Sequence, residues 1–179
     1  MPRIDIRPGL VAVPAADIDP ELFAVFVRAN REHLDRYLPR VAVLDSTDAA
    51  REHFVSVAQQ VASRELWEWH LEDSGAMCGA VRLNRVEWEN RKAAVAYYVG
   101  AEFQGRGIAT TAVRAILRYA FVDLGFHRIE LRCVTENAAS VRVAERLGFI
   151  REGELRAAEL LHGQYANHFV YSMLASEFL

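Results

Sequence analysis

The stretch VGAEFQGRGIATTAV, residues 99–113, places Gly105 and Gly107 directly after an apolar run and directly before a helical pattern. A strand that turns through these glycines into a helix leaves the N–H groups of the first helical turn unpaired. The helix dipole favours negative charge at the same place. The stretch therefore predicts a strand, an anion-binding loop and a helix, with a phosphate group as the expected ligand.

The segments on both sides of this loop predict a strand–helix–strand unit. A strand is expected over 93–99 and another over 128–134, with a helix between them that ends at Gly125. A unit of this length predicts parallel strands joined by a right-handed crossover. A short helix over 137–147 and two strands, over about 149–161 and 166–174, are expected to follow.

The N-terminal half predicts helices and antiparallel strands. Leu10–Val13 reads as a strand, and Asp19-Pro20 is typical of a helix start, with Leu22, Phe26 and Ala29 expected on its apolar face. A second helix is expected to begin near Ser46 or Thr47, and the runs 66–72 and 77–83 flank a hairpin turn. The order of elements predicts the α+β class (mixed α/β), with one domain over 1–179.

Composition excludes several classes of protein. Apolar residues make up 52% of the chain and charged residues 25%, which is ordinary for a globular domain. The net charge of −3 argues against a nucleic-acid binder, and no apolar run reaches the roughly 18 residues that span a bilayer. The N-terminus lacks a signal-peptide pattern, and Cys78 and Cys133 read as free buried thiols, so we expect a cytoplasmic protein. The six histidines lack metal-binding spacing, which predicts no metal.

Two familiar phosphate-binding patterns fit the glycine loop poorly. The P-loop pattern places Gly100 and Gly105 in register, but Arg106 and Gly107 stand where it needs a lysine and a hydroxyl. The dinucleotide pattern needs a third glycine where Thr110 stands, and it belongs near the start of a domain. Neither pattern is therefore favoured.

A third pattern, Q/R-x-x-G-x-G/A, is met by Gln104, Gly107 and Ala109. It is the pyrophosphate loop of the GNAT superfamily of acetyl-CoA-dependent N-acetyltransferases, which this chain resembles. The resemblance extends to the RimJ/RimL branch, which acetylates protein N-termini, notably of ribosomal proteins, and includes relatives that act on small amines. It is carried by three stretches: EWENRKAAVAYYVGAEFQGRGIATTAV (87–113), ENAASVRVAERLGFIREGELR (136–156) and HGQYANHFVYSML (162–174).

Other positions match the branch less well. HLDRYLP (33–39) is only weakly similar to the family's first helix pair, which borders the acceptor site. Ala96, Tyr98 and Asn167 stand where the family often has glycine, tryptophan and an acidic residue. These departures concern the acceptor rather than the coenzyme.

The resemblance implies a GNAT fold, in which a mixed, mostly antiparallel sheet has two parallel strands splayed around acetyl-CoA. Pantetheine would bond to main-chain groups near Tyr98 and Val99, and Asn137 would bond to its arm. Asn137 is equally a good helix N-cap. The pyrophosphate would rest on the loop that follows Gln104, namely on Gly105, Arg106, Gly107, Ile108 and Ala109. Arg106 and Arg114 would add charge, unless they form only a solvated face.

The resemblance also assigns the acid and the base. Ser140 would protonate the departing thiolate; the alternative is a serine bonded to its own helix turn, with Tyr97, Tyr98 or water as the acid. RAAELLHG (156–163) resembles the family stretch whose glutamate deprotonates the amine, which points to Glu159. Glu87 and Glu89 are rival bases, acting directly or through water.

Three functions follow from these expectations. The first is acetylation of the N-terminal α-amino group of a protein, notably a ribosomal protein. The second is acetylation of a small amine such as a polyamine, an amino acid or an aminoglycoside. The third is a non-catalytic acyl-CoA-binding module. The family also suggests a homodimer.

Overall fold

One eight-stranded sheet runs through the computed structural model, which describes residues 1–178. Leu179, the last residue of the domain expected over 1–179, lies outside the described residues. The strands are β1 (Ile4–Arg7), β2 (Leu10–Pro14), β3 (Trp67–Asp73), β4 (Ala76–Glu87), β5 (Lys92–Val99), β6 (Arg128–Val134), β7 (Ile150–Leu161) and β8 (Gln164–Leu174). The helices are α1 (Pro20–Ala29), α2 (Arg31–Asp35), α3 (Pro39–Ala42), α4 (Thr47–Ala62), α5 (Ile108–Arg118) and α6 (Ala138–Leu147). Among these described residues no helix is long and apolar enough to cross a bilayer.

The order of strands in the sheet is β1-β2-β3-β4-β5-β6-β8-β7. Within residues 1–178 the pair β5–β6 is the one parallel pair, joined by the crossover through α5. All other neighbours run antiparallel. The expected mixed, mostly antiparallel sheet of the α+β class is therefore confirmed.

Local sequence signals place the starts of α1 and α4. Asp19 caps α1, where its side chain accepts a hydrogen bond from the Glu21 N–H at 2.9 Å, and Ser46 caps α4 through the Ala49 N–H. Leu22 is 45% exposed, so its expected place on the apolar face of α1 is wrong: the buried residues are Phe23, Ala24, Phe26 and Val27. The stripe that faces the sheet and α4 starts one residue later, and Leu22 lies beside it.

Strand β1 was not expected from the sequence. It is four residues long, lies at the edge of the sheet and is half exposed, with Asp5 between its two isoleucines and Arg7 after them. Such a short strand carries almost no pattern of its own, and its pairing with β2 is what makes it a strand.

The sheet has a core on each face. One core contains α5, α6 and inward side chains of the central strands, among them Trp69, Val81, Ile129 and Leu131. The other lies under α1 and α4 and includes Phe23 and Met77. Successive residues of a strand point to opposite faces, so one strand can contribute to both cores: β4 supplies Cys78 to the first and Met77 to the second.

The second core contains a buried charge. Glu68 on β3 is 0% exposed, and its Oε1 accepts hydrogen bonds from the Nε2 atoms of His70, at 3.1 Å, and His53, at 3.2 Å. Arg82 on β4 lies 2.9 Å from the other carboxylate oxygen. Burial alone would raise the pKa of Glu68, but these hydrogen bonds and the charge of Arg82 outweigh it and hold that pKa well below its ordinary value. Glu68 is therefore a carboxylate that ties β3, β4 and α4 together.

Replacing Glu68 with glutamine should lower the free energy of unfolding at pH 7 by about 3–5 kcal/mol, because Arg82 loses its buried partner. The pKa of Glu68 is lower in the folded than in the unfolded chain. Its stabilisation is therefore present above the unfolded value, near 4.5, and is lost as the pH falls through the folded value. Urea unfolding of the wild type and of Glu68→Gln should be compared between pH 7 and pH 3. The difference between their free energies of unfolding should become smaller below about pH 4.5. Glu89→Gln, at an exposed position, is the control. A difference that stays constant to pH 3 would contradict this assignment.

Candidate functional site

The site begins where β5 and β6 part. Their parallel pairing ends at Val95 and Leu131, four residues before the end of β5. The Gly100 N–H bonds to the Cys78 carbonyl of β4. Because hydrogen-bonding direction alternates along a strand, the main-chain groups of Tyr97 and Val99 point away from β4, into the gap. The gap therefore presents a strand edge that an extended ligand could pair with.

A cavity of about 750 Å³ occupies this gap and its surroundings. It is lined by α2, the open ends of β5 and β6, the glycine loop, the start of α6, and the β7–β8 hairpin. The hairpin turn reaches α2, where the imidazole Nε2 of His162 lies 2.9 Å from the Asp35 carbonyl. This contact joins the two sides of the cavity mouth.

The glycine loop has the geometry of an anion cradle. Gly105 and Gly107 both have φ of +74°, which an L-residue with a Cβ adopts only with strain, and a Cβ at either position would project into open space. Helix α5 starts directly after Gly107, and no side chain caps its first N–H groups. Gln104, Gly105, Gly107, Ile108 and Ala109 all line the cavity. These features fit the pyrophosphate of coenzyme A.

His33 on α2 closes the loop side of the cavity. Its Nε2 lies 3.1 Å from the Val99 carbonyl oxygen and 3.2 Å from Gln104 Nε2. The side chain thus contacts both the free edge of β5 and the glycine loop. His33 belongs to the weakly matching stretch 33–39, and the structure brings that stretch to the cavity.

Ser140 lies on α6 and points across to β5. Its Oγ is 2.9 Å from the Tyr97 hydroxyl. The serine hydroxyl therefore bonds to β5 rather than to its own helix turn, which was the alternative. Burial raises the pKa of Tyr97 to about 12, so that this phenol stays protonated at neutral pH. Burial likewise raises the pKa of the Cys133 thiol, which also lines the cavity. Three protonated groups therefore meet on one wall of the cavity.

Asn137 lies at the start of α6. Its side-chain oxygen accepts a hydrogen bond from the Ser140 N–H at 3.2 Å, which is the N-cap role expected from the sequence. The residue also lines the cavity. The cap engages only the oxygen, and the amide nitrogen is the atom that could reach a ligand.

Of the three candidate bases, Glu159 is the one that the structure brings to the cavity. Its Oε2 accepts a hydrogen bond from His168 Nε2 at 3.0 Å. Glu87 pairs with Lys92 at 3.0 Å and bonds to Asn90, at the far end of β5. Glu87 and Glu89 are exposed there and do not line the cavity.

The remaining expected residues have different surroundings. Tyr98 lines the cavity and stacks on Phe26 of α1, on the opposite face of the sheet from Tyr97. Arg106 is exposed and lies over the Phe103 ring, and Arg114 is exposed on α5. The side chain of neither arginine lines the cavity, although Arg106 stands in the glycine loop between Gly105 and Gly107, which do.

The acid and base candidates lie on opposite faces of the sheet. Tyr97 and Cys133 point into the core of α5 and α6, which is also the side of Ser140. His168 is opposite Val134, next to the pair Cys133–Phe169, so by alternation it points to the other face, as does Glu159. The gap between β5 and β6 connects the two. A group bound in the gap could therefore gain a proton from one side and lose one to the other.

Sequence reasoning missed several residues that line the cavity. His168 and Arg132 are among them. Arg132 stands immediately after the last β5–β6 pair and bonds to Glu130 at 2.9 Å. No local pattern marks these residues, because each reaches the cavity through the pairing of distant strands.

Comparisons with known proteins agree with this geometry. A family model described as an acetyltransferase (GNAT) domain matches residues 9–150. The "Putative ribosomal N-acetyltransferase YdaF" of Bacillus subtilis is 32% identical over 160 residues, which cover 89% of this chain and 87% of that protein. Spermidine N(1)-acetyltransferase of Escherichia coli is 32% identical over 97 residues, covering 54% and 52%. The structure of RimL, a ribosomal L7/L12 α-N-protein acetyltransferase in complex with coenzyme A, superposes with a TM-score of 0.90 at 22% identity, covering 97% and 98%.

Gly107→Ala should weaken acetyl-CoA binding by about tenfold, or ~1.4 kcal/mol, because the new Cβ enters the space at the loop. Gly125→Ala is the matched control, since Gly125 has φ of +70° and open space around it but lies outside the cavity. Both variants should lose about 1–2 kcal/mol of stability from the left-handed backbone. Calorimetric titration of the two folded proteins separates the effects. Unchanged affinity in Gly107→Ala, or an equal loss in Gly125→Ala, would refute the loop as the binding site.

Proposed function

We propose that this chain, which belongs to the GNAT family of acetyltransferases and uses acetyl-CoA, acetylates the α-amino group of a protein N-terminus, with a ribosomal protein as the first candidate. The names of YdaF and RimL support this acceptor class. The proposal includes a cytoplasmic location, because ribosomal proteins are made and assembled there.

The observation that carries the acceptor proposal is the charge of the cavity. Four arginines line it against two glutamates: Arg36, Arg132, Arg142 and Arg146 against Glu136 and Glu159. A polyamine carries several positive charges along its length, and this lining offers it only two carboxylates as partners. A protein N-terminus brings one positive charge, followed by a neutral backbone or by acidic side chains. The lining therefore favours a peptide over a polyamine.

The residues around the gap divide the chemistry between them. Acetyl-CoA supplies an activated thioester, and its pantetheine arm would be held by the main-chain groups of Tyr97 and by the Val99 carbonyl, which His33 also contacts. Glu159 would take the proton of the amine, directly or through one water, from the face that carries α2. The Val99 N–H would stabilise the negative charge that develops on the thioester oxygen. Ser140, from the opposite face, would donate its proton to the departing sulfur, with Tyr97 bonded behind it.

The second candidate is acetylation of a small amine. The spermidine acetyltransferase relative favours it, although that match covers only about half of each chain. A non-catalytic acyl-CoA-binding module is the third candidate. The cavity argues against it, since Ser140 and Glu159 both reach the site.

An acceptor panel distinguishes these functions through release of free thiol from acetyl-CoA. We expect peptides with a free N-terminus and acidic residues at positions 2–5 to give kcat/KM values at least about tenfold above spermidine, amino acids or an aminoglycoside. The same peptides with a blocked N-terminus are the matched control and should be inactive. A preference for spermidine would establish the small-amine function, and no turnover with any amine would favour the binding module.

Ser140→Ala should lower kcat by about 10²–10⁴-fold, the usual range for a general-acid step, and leave KM for acetyl-CoA nearly unchanged. Ser56→Ala, on the exposed side of α4, is the control. The measurement is steady-state turnover with the best acceptor of the panel. If Ser140→Ala turns over normally while Tyr97→Phe does not, the tyrosine is the acid and the serine hydroxyl is not needed for the proton transfer.

A further inference from the structure

We propose that His168 is a positioning residue for the base: it fixes the Glu159 carboxylate through the Nε2 hydrogen bond and so sets the rate of proton removal from the acceptor amine. The inference rests on the proposed function, because it assumes that Glu159 is the base. The stretch HGQYANHFVYSML (162–174), quoted above for the family resemblance, includes His168 but gives it no role.

The two partners differ in how firmly the fold holds them. His168 lies on β8, which has a neighbouring strand on each side: the residue is paired with Val134 of β6 and with Leu155 of β7, and its side chain is only 17% exposed. Glu159 stands on the edge strand β7 with its side chain 41% exposed. A half-exposed glutamate on an edge strand has several rotamers open to it. The bond to a fixed imidazole selects one of them.

A bulge in β7 brings Glu159 to this position. The pairing passes from Leu155–His168 to Glu159–Ala166, so β7 advances four residues while β8 advances two. With regular pairing Ala157 would stand opposite Ala166, and Glu159 would lie beyond it. The two extra residues of β7 therefore pair Glu159 with Ala166. The carboxylate then lies two residues along β8 from His168, on the same face of the sheet.

Asn167 holds the bulge in shape. Ala157 has φ of +50°, a strained conformation for alanine, and its N–H donates to the Asn167 side-chain oxygen at 2.9 Å. The amide nitrogen of Asn167 donates to Glu154 at 2.7 Å. Two neighbouring residues of β8 thus have linked roles. Asn167 stabilises the bulge, and His168 binds the Glu159 carboxylate that the bulge brings close to it.

The direction of the hydrogen bond follows from the chemistry of the partners. An ionised carboxylate can only accept, so the Nε2–H of His168 is the donor. The bond engages Oε2 of Glu159. Oε1 is then the oxygen that can face the amine or a bridging water, and its direction is set by the imidazole. Loss of the donor would leave the carboxylate present but misdirected, which lowers kcat rather than coenzyme binding.

A double-mutant cycle tests this role with the best acceptor of the panel. His168→Leu and His168→Phe, which keeps a ring but no donor, should each lower kcat by about 10–100-fold, with KM for acetyl-CoA unchanged. His168→Gln, which offers an N–H at similar reach, should stay within about threefold of wild type. In a Glu159→Gln background, His168→Leu should cost less than about twofold, because there is no carboxylate left to orient.

The controls separate positioning from a structural role. His127→Leu makes the same change at an exposed histidine outside the cavity and should leave kcat unchanged. Thermal unfolding and acetyl-CoA titration show that each variant is folded, and His168→Phe carries the test if His168→Leu does not fold. Losses that multiply in the double variant, or a His168→Gln as slow as His168→Leu, would overturn the proposal. A Glu159→Gln with full activity would instead refute the base assignment, and a wild type without any turnover would refute the proposed function itself.

Discussion

The hydrogen-bond ladder between β5 and β6 stops after Val95 and Leu131, and the site depends on that break. Strands that stay paired satisfy each other's main-chain groups and leave no room between them. Here the ends diverge while their outer partners, β4 and β8, remain paired to them. Main-chain donors and acceptors are thereby exposed inside a sheet, where an extended ligand can replace the missing strand. The cavity is therefore a consequence of sheet topology, at the only parallel pair among the described residues.

The break also explains how one cavity can hold the proposed acid and the proposed base without proton transfer between them. A sheet separates the side chains of successive residues onto two faces, and only a gap lets both faces reach one ligand. Ser140 approaches from the side of α6, and Glu159 approaches from the side of α2. The hydrogen bonds of Ser140 to Tyr97 and of Glu159 to His168 keep each group on its own side.

The strands on one side of β5 contain a buried charge whose burial is unfavourable by itself. Glu68 is a fully buried carboxylate, which is unfavourable unless it is paired and hydrogen-bonded. His53, His70 and Arg82 supply those partners and connect α4 to β3 and β4, the strands that support β5 from behind. The core beneath α1 and α4 is thus held by polar contacts as well as by apolar packing. These contacts restrict movement of β4 and of its neighbour β5.

Local sequence determined much of this protein: the strand–loop–helix around Gly105 and Gly107, the helix caps, and the position of Ser140 at the start of α6. Each depends on residues within one or two turns of each other, so a short window contains the whole physical cause. Family resemblance, rather than any local pattern, pointed to Glu159. Tertiary structure alone brought His168 beside it and left Glu87 and Glu89 remote. Which glutamate reaches the cavity depends on strand register and on the bulge in β7. A slip of one residue in the register would move every side chain of the strand to the other face. Register is set by hydrogen bonds between segments far apart in the chain, which no short stretch of sequence contains.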